Sequence, residues 1–185
     1  MVKRIATTRR IVFVTIDDGW TRDPAFPSDV AKAAVPTSLF LVGDAAKLDY
    51  SYFRQLQRLG GMIEDHTITH PDCSRLSYAE QRRQICTAAD TYRRVFGRRP
   101  TLLRPPYGDF NTVTQRAAQT CGMHALVNWD VSVNNGRLSF ASGHQLRPGD
   151  IILMHFTPNI RRDFAAALAA ARQQGFTVRR LEDYL

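Results

Sequence analysis

Two adjacent carboxylates follow a strongly apolar segment near the start of the chain. The stretch IVFVTIDDGW, residues 11–20, runs from β-prone apolar residues into Asp17 and Asp18, and a glycine comes next. Two like charges this close repel each other unless positive groups lie beside them. The pair is therefore either a solvated turn or part of a site to which other segments contribute cations or basic side chains.

A pair of histidines lies in the stretch EDHTITHPD, where His66 and His70 are four positions apart. In one helical turn or a tight loop, this spacing places both imidazoles on the same side. Two histidines and a carboxylate form a facial set of metal ligands that leaves positions open for water and substrate. Each histidine alone would be interpreted as a surface or hydrogen-bonded core residue, so the hypothesis depends on the nearby carboxylates.

Arg104 ends a predicted strand in the stretch LLRPPYGDFN, and two prolines follow it. The prolines stiffen the chain as it leaves the strand, so the backbone at Tyr107 is held in place. Arg104 can then face a site carboxylate, and a neighbouring backbone N–H can serve an oxyanion. The alternative is a rigid turn with a solvated arginine.

His155 ends another apolar segment, PGDIILMHF, two residues after Leu153. Alternate residues of a strand share a face, so both side chains point to the same side. A histidine at a strand end beside a metal is suited to act as a general acid, whereas a lone histidine here would be structural.

The elements that must position these residues alternate along the chain. Apolar, β-rich segments are predicted at residues 11–16, 37–42, 62–64, 101–104, 125–129, 151–154 and 176–179. Helices are predicted from the capping box at Ser77 to about residue 96, over about 111–122, and in the alanine-rich segment that ends at Gly175. This alternation predicts an α/β fold with a parallel sheet, whose site lies at the carboxyl ends of the strands.

Length and composition indicate one globular domain over residues 1–185, with 44% apolar and 23% charged residues. No apolar run reaches the roughly 20 residues that a membrane span needs, and MVKRIATTRR lacks a signal-peptide pattern. We expect a monomer that acts outside the cytoplasm, with the export segment absent from this chain; a cytoplasmic protein is the alternative.

A net charge of +8 predicts an anionic neighbour, either nucleic acid or an anionic cell wall. The basic residues are dispersed as short clusters, and no zinc-finger or RNA-binding signature is present. We therefore do not expect nucleic acid as a partner. A basic nucleic-acid-binding domain stays a third hypothesis, which would require salt-sensitive binding without metal.

The three cysteines lack the spacing of a metal knuckle. Cys73 is expected to be a buried or half-buried thiol. Cys86 and Cys121 lie on predicted helices that follow one another, so they can form a disulfide if the protein is exported.

Taken in order, the four chemical segments resemble the motifs of the polysaccharide deacetylase family, carbohydrate esterase family four, also called the NodB-homology domain. The matching stretches are TIDDG at 15–19, HTITH at 66–70, RPPYG at 104–108 and LMH at 153–155, and they span about residues 10–185. The resemblance implies a distorted (β/α) barrel with about seven parallel strands. It also implies metal-dependent removal of acetyl groups from peptidoglycan, chitin-like sugars or xylan.

The same resemblance implies a role for each matching residue. Asp18, His66 and His70 would hold a divalent metal, with Zn²⁺ expected and Co²⁺, Ni²⁺ or Mn²⁺ as alternatives. Asp17 would be the general base and His155 the general acid.

Further implied roles concern the surroundings of these groups. Arg104 would orient Asp17, and the backbone N–H of Tyr107 would donate to the oxyanion. Thr67 would support the histidine loop through a hydrogen bond. The substrate would contact Leu153, Trp129 and Pro106, with Leu153 lining the pocket of the acetyl methyl group.

One motif departs from the family pattern. A fourth motif of the form Trp-x-x-Asp-x-x-Asp-Trp is expected, but the chain has WDVSVNNG at 129–136, with Ser132 at the first Asp position and Gly136 at the second Trp position. An acidic partner there would raise the pKa of His155 and fix its tautomer. Asp150 could replace it; Asp130 is a weaker substitute, because strand alternation sends it to the other face from Trp129.

The main hypothesis is therefore a metal-dependent hydrolase that removes acetyl groups from an N-acetylated polysaccharide such as peptidoglycan or a chitin-like glycan. An acetylxylan-type O-deacetylase is the neighbouring alternative. A glycan-binding homologue with impaired catalysis is the alternative from another class, because of the altered fourth motif.

Overall fold

The β-prone segments of the chain form one curved sheet, and most of the segments between them form helices. The computed structural model describes residues 1–185. The strands are β1 (Ile11–Asp18), β2 (Thr37–Leu41), β3 (Gly61–Asp65), β4 (Leu102–Leu103), β5 (Ala125–Leu126), β6 (Val131–Asn134), β7 (Arg137–Phe140), β8 (Ile151–His155) and β9 (Thr177–Val178). The α-helices are α1 (Phe26–Ala33), α2 (Gly43–Ala46), α3 (Tyr50–Arg58), α4 (Tyr78–Phe96), α5 (Thr112–Thr120) and α6 (Ile160–Gln173). Short 3₁₀ helices span Cys73–Arg75, Pro106–Gly108 and Leu181–Tyr184.

The sheet has the strand order β5-β4-β3-β2-β1-β8-β6-β7, and β9 pairs with the start of β1. All pairings are parallel except that of β6 with β7. The sheet curls into a half-barrel, which confirms the predicted α/β fold of the distorted-barrel type. Each of the seven predicted segments contains a strand.

The β6–β7 hairpin was not predicted. Its strands are joined by the two-residue turn Asn135-Gly136, in which both residues have positive φ, +52° and +72°. Asn-Gly is the strongest short signal for such a turn, and it is present in the sequence. Each strand of the hairpin has only four residues, so its alternation of apolar and polar residues is too short to stand out beside the longer apolar runs.

The two faces of β1 are buried in different clusters, as expected for a central strand of a parallel sheet. Val12, Val14 and Ile16 belong to the main core, which also contains buried residues of the helices. Phe13 lies on the other face, where the 3₁₀ helix Leu181–Tyr184 packs against it. Thr15 and Asp17 share that second face, since alternate residues of a strand point the same way.

The helix boundaries follow their capping residues. Ser77 and Glu80 form the predicted capping box of α4, and Gly97 ends the helix with φ +80°. Cys86 on α4 and Cys121 at the end of α5 form a disulfide, and Cys73 is a buried free thiol. These findings agree with the expectations for all three cysteines. None of the helices combines the length and apolar composition required to cross a bilayer.

Candidate active site

The predicted chemical residues meet at the carboxyl ends of four strands of the sheet, β1, β3, β4 and β8. They surround a cavity of about 210 Å³, called the catalytic cavity below. The residues that line it are Asp17, Asp18, His66, His70, Pro105, Tyr107, Trp129, Leu153 and His155. This is the edge at which parallel α/β folds place their sites.

The two carboxylates of the DDG stretch diverge, although each has one oxygen 3.7 Å from Nε2 of His66. Asp17 is buried, and its Oδ1 accepts a hydrogen bond of 2.6 Å from Nη1 of Arg104. Asp18 has φ +79°, and its Oδ1 lies 3.6 Å from Nε2 of His70 and 3.7 Å from Nε2 of His66. One aspartate therefore faces the arginine and the other faces the histidines.

Asp18, His66 and His70 offer three ligand atoms that all lie within 4.8 Å of one another. Nδ1 of His66 is 2.6 Å from the carbonyl oxygen of Arg104. When this nitrogen carries the proton and donates it to the carbonyl, Nε2 is left free as a ligand. Burial lowers the pKa of His66 to about 3, so the imidazole is neutral, which is the form that binds metals. Two nitrogens and one carboxylate oxygen fit Zn²⁺ or a neighbouring transition metal.

Arg104 is fully buried, and all three nitrogens of its guanidinium group donate hydrogen bonds. Nη1 donates to Asp17 and to the hydroxyl of Thr15 at 2.8 Å, while Nε and Nη2 donate to the carbonyl oxygens of Val127 and Asn128, both at 3.2 Å. Its guanidinium carbon lies 4.3 Å from the centre of the Phe40 ring. Burial raises the pKa of the Asp17 carboxyl, and the positive charge of Arg104 opposes that rise.

Four residues of the site have backbone angles that L-amino acids avoid. The φ angles are +79° at Asp18, +68° at Thr67, +59° at His70 and +61° at Tyr107. Such conformations cost on the order of 1–3 kcal/mol each and persist where the surroundings enforce them. The cost is clearest at Thr67, because a β-branched residue rarely adopts positive φ.

The histidine loop is held by hydrogen bonds from its neighbours. The N–H of Thr67 donates to Oδ1 of Asp65 at 2.7 Å, and Oγ1 of Thr67 accepts from the N–H of His70 at 3.2 Å. Gln84 on α4 accepts from the N–H groups of the two residues between them, each at 3.0 Å. The hydrogen bond implied for Thr67 is therefore present in the geometry.

Residues outside the matching motifs also support the site. Thr15 binds Arg104, and its position two residues before Asp17 on the same face of β1 was a usable signal. Asp65 directly precedes His66, and this adjacency was a usable signal. No sequence pattern pointed to Gln84, because its role depends on how α4 packs over the loop.

The residues predicted to contact substrate are placed unequally. Trp129 and Leu153 line the catalytic cavity, and Tyr107 lies at its rim with 66% of its surface exposed. The Tyr107 ring packs edge-on against His70, with centroids 4.7 Å apart. Pro106 does not line the cavity; Pro105 does, because the chain turns sharply at Tyr107.

Neither carboxylate considered as a partner of His155 reaches it. Asp130 binds the guanidinium of Arg147 at 2.9 Å and does not line the catalytic cavity. Asp150 precedes β8, whereas His155 ends it, and Asp150 accepts from the N–H of Arg147 at 2.7 Å. The suggestion that Asp150 serves His155 is therefore wrong, because the length of β8 separates the two.

The comparison with known families agrees with this geometry. Residues 4–126 match the family model described as polysaccharide deacetylase, which is more than half of the chain. The chain belongs to the polysaccharide deacetylase family. It is 37% identical over 191 residues to an uncharacterized protein of Streptomyces coelicolor, a match that covers 100% of this chain and 77% of that protein.

Two further similarities cover nearly the whole chain. It is 24% identical to the peptidoglycan-N-acetylmuramic acid deacetylase PdaA of Bacillus subtilis, across 97% of this chain and 73% of that protein. The structure resembles that of BA3943 from Bacillus anthracis, described as a pseudoenzyme of carbohydrate esterase family 4, with a TM-score of 0.86 and 20% identity. That match covers 99% of this chain and 68% of the other. The second similarity concerns the fold alone.

Proposed function

We propose that this protein is a metal-dependent hydrolase that removes acetyl groups from an N-acetylated polysaccharide. The observation that carries the proposal is the convergence of Asp18, His66 and His70 within 4.8 Å, beside an Asp17 that is fixed by Arg104. A bound divalent metal would supply Lewis acidity toward water and toward the acetyl carbonyl.

Asp17 is the group placed to accept a proton. Its Oδ1 is engaged by Arg104, while its Oδ2 lies 3.7 Å from Nε2 of His66 and so faces the metal ligands. A water held between them would lie within hydrogen-bonding reach of Oδ2. The contact with Arg104 fixes the carboxylate in this orientation, so the basic oxygen does not rotate away.

His155 is the group placed to give a proton. It lies directly opposite Asp17 in the pairing of β1 with β8, and both line the catalytic cavity. A base and an acid on adjacent strands can act on the two sides of one acyl group. The amine that leaves on hydrolysis is a poor leaving group unless it is protonated, which gives His155 its role.

Acetylated peptidoglycan or a chitin-like glycan is the proposed substrate class. The deacetylase relative PdaA is described as acting on peptidoglycan, and a net charge of +8 favours an anionic polymer. The Cys86–Cys121 disulfide supports a place of action outside the reducing cytoplasm. The metal is proposed to be Zn²⁺, with Co²⁺, Ni²⁺ or Mn²⁺ as alternatives, because the ligands are two imidazoles and one carboxylate.

A second candidate function is a glycan-binding homologue with impaired catalysis. It is favoured by one observation, that neither Asp130 nor Asp150 reaches His155. An acetylxylan-type esterase is a third, because an ester demands less of His155 than an amide does.

The test is acetate release from peptidoglycan, a chitooligosaccharide and acetylxylan, with added metal or with chelator. We expect release from the N-acetylated substrates only with metal, and a loss of about a hundredfold or more in Asp17→Asn. Asp109→Asn is the matched control, because Asp109 is exposed and outside the cavity. If the metal-bound protein released no acetate from any of the three substrates, the proposed hydrolase activity would be refuted. Release from acetylxylan alone would favour the esterase.

A further inference from the structure

The histidine loop, residues 66–70, lies between two helices. On one side is the start of α2, where the N–H of Gly43 donates to the carbonyl oxygen of Thr67 at 2.9 Å and the next N–H donates to that of Ile68 at 2.8 Å. A Cβ atom on Gly43 would lie 3.1 Å from Cα of Ile68, so the contact is close. On the other side is α4, whose Gln84 reaches the loop. The loop is therefore held from two directions by elements outside it.

Gln84 makes three hydrogen bonds with the part of the loop between the two histidines. Its Oε1 accepts from the N–H groups of Ile68 and Thr69, each at 3.0 Å, and its Nε2 donates to Oγ1 of Thr69 at 2.9 Å. The side chain belongs to a residue that is only 8% exposed. Because a backbone N–H can only donate, the amide oxygen has to face the loop backbone. Both ends of the amide group therefore bind the loop.

Every backbone N–H of the loop has a partner, and Gln84 is the partner of two of the five. The N–H of His66 donates to β2. That of Thr67 donates to the Asp65 carboxylate, and that of His70 donates to Oγ1 of Thr67. An apolar residue in place of Gln84 would leave two N–H groups without a protein partner. This loss would fall on a loop that already holds positive φ at Thr67 and His70.

The arrangement of the ligand atoms indicates what these contacts preserve. Nε2 of His66 and Nε2 of His70 lie 3.7 and 3.6 Å from Oδ1 of Asp18. Two ligands on a tetrahedral zinc ion, each about 2.0–2.1 Å from the metal, are roughly 3.4 Å apart. The three side chains therefore already have nearly the spacing that such an ion requires. If the loop relaxed out of positive φ, His70 would move away from Asp18, and metal binding would have to restore the unfavourable conformation at a cost in affinity.

We propose that Gln84 is a positioning residue for the metal, which fixes the backbone between the two histidines, holds His70 beside Asp18 and so raises the affinity of the site for a divalent ion. The inference rests on the metal site of the proposed function. It adds to that site a residue of α4 that does not line the catalytic cavity. The loss of Gln84 should therefore appear as weaker metal binding by a protein that is still folded.

The test is the dissociation constant for Zn²⁺, measured on metal-free protein by competition with a chromophoric chelator. Gln84→Leu removes all three hydrogen bonds and should raise this constant about 10- to 100-fold, as is usual for residues that support metal ligands. Gln84→Glu keeps an acceptor for both N–H groups, and the Thr69 hydroxyl can donate to it, so its constant should stay within about threefold of the wild-type value.

Gln81→Leu is the matched control. Gln81 lies three residues earlier on α4, is fully buried, and donates from Nε2 to the carbonyl oxygen of Leu76, outside the histidine loop. Its replacement should also lower the free energy of unfolding, which urea denaturation of the metal-free variants measures. The Zn²⁺ constant of Gln81→Leu should nevertheless equal that of the wild type. A merely structural role of Gln84 would give the two leucine variants the same Zn²⁺ constant.

Thr69→Val provides the decision if Gln84→Leu does not fold. Thr69 is exposed, and valine removes only the hydroxyl that accepts from Nε2 of Gln84. The amide group of Gln84 is then held less firmly, and the Zn²⁺ constant should rise about threefold.

The outcomes separate this inference from the proposed function. A wild-type Zn²⁺ constant in Gln84→Leu, or in Thr69→Val if Gln84→Leu does not fold, would overturn the positioning role and leave the hydrolase proposal intact. Weaker Zn²⁺ binding by Gln84→Leu, together with a wild type that releases no acetate, would support the positioning role while the proposed reaction fails. A wild type that binds no divalent metal would overturn both.

Discussion

At the scale of single residues, the site depends on a charge pair that has no access to bulk water. Arg104 is fully buried, and its partner Asp17 is 2% exposed. Removing one member of such a pair leaves the other uncompensated, which is far more costly than removing both. The pair therefore links the stability of the protein to the integrity of its proposed base.

We expect Arg104→Met to lower the free energy of unfolding by about 3–5 kcal/mol. The double variant Arg104→Met with Asp17→Asn should lose less than the sum of the single losses, with a coupling of about 1–3 kcal/mol. Urea denaturation of the four proteins measures this cycle. Additive losses would show that the two side chains act independently.

His155→Ala tests the role of the acid. Turnover of an N-acetyl amide should fall about 10²–10⁴-fold, because the leaving amine must be protonated. Turnover of an ester with an activated phenolate leaving group should fall far less, since that group leaves unprotonated. The two rates are measured on the same metal-loaded preparation. Equal losses on both substrates would refute the acid role.

At the scale of elements, the strand ends were predicted, whereas the hairpin was missed although its Asn-Gly turn is a local signal. Asp17, His66, Arg104 and His155 each end or directly follow an apolar segment, and parallel topology alone brings such ends together. The β6–β7 hairpin depends on a turn at residues 135 and 136 and on packing against α6. The contact of Asp163 with the hairpin was not predicted either, because nothing in the sequence around Asp163 indicates that it meets residues 135 and 136.

The loop at residues 66–70 could also be predicted only in part. The spacing of His66 and His70 predicts that they lie close together, but not that the loop passes through positive φ at Thr67. That conformation is enforced by Asp65 and by Gln84 of α4. The contact with Gln84 leaves no local pattern, because it depends on how α4 packs over the loop.

The α4–α5 pair is fastened by the disulfide between Cys86 and Cys121, whose sequence separation is 35. Closing a loop of that length in the unfolded chain stabilises the fold by about 4 kcal/mol in the chain-entropy model. We expect Cys86→Ser with Cys121→Ser to lose about that much in urea denaturation under oxidising conditions. Under reducing conditions the double variant and the wild type should differ little. Cys73→Ala removes only the free thiol, so this variant should still lose stability when reductant is added, as the wild type does.

At the scale of the whole molecule, the C-terminal 3₁₀ helix packs against the sheet and carries an acidic group inside. Neither carboxylate oxygen of Glu182 has a well-formed hydrogen bond, although the Ser38 hydroxyl lies near enough to oppose part of the rise in its pKa. Burial, reinforced by the negative charge of Glu64, raises the pKa of Glu182 to about 7. Glu64 itself is paired with Arg98 and accepts from the N–H groups of Thr101 and Leu102.

This raised pKa makes stability depend on pH in a defined direction. The unfolded chain releases the Glu182 proton near the ordinary value of 4.5, but the folded protein keeps it until about pH 7. The group therefore lowers the free energy of unfolding progressively between those values, by up to about 3 kcal/mol. Glu182→Gln should be more stable than the wild type at pH 8, and the gain should vanish near pH 4. Asp183→Asn, at an exposed neighbour, should show no such gain.

The positive φ angles of the site have a consequence for how the protein can change. Replacing Thr67 with glycine would relieve an unfavourable backbone conformation, so selection for a stable scaffold alone would favour that exchange. The same holds at Asp18, His70 and Tyr107, where glycine would also remove two of the proposed metal ligands and the ring that packs against His70. A lineage that no longer needed catalysis would gain stability by losing these residues one at a time. The chain has a residue other than glycine at all four positions, so its folded state carries the backbone cost of the site.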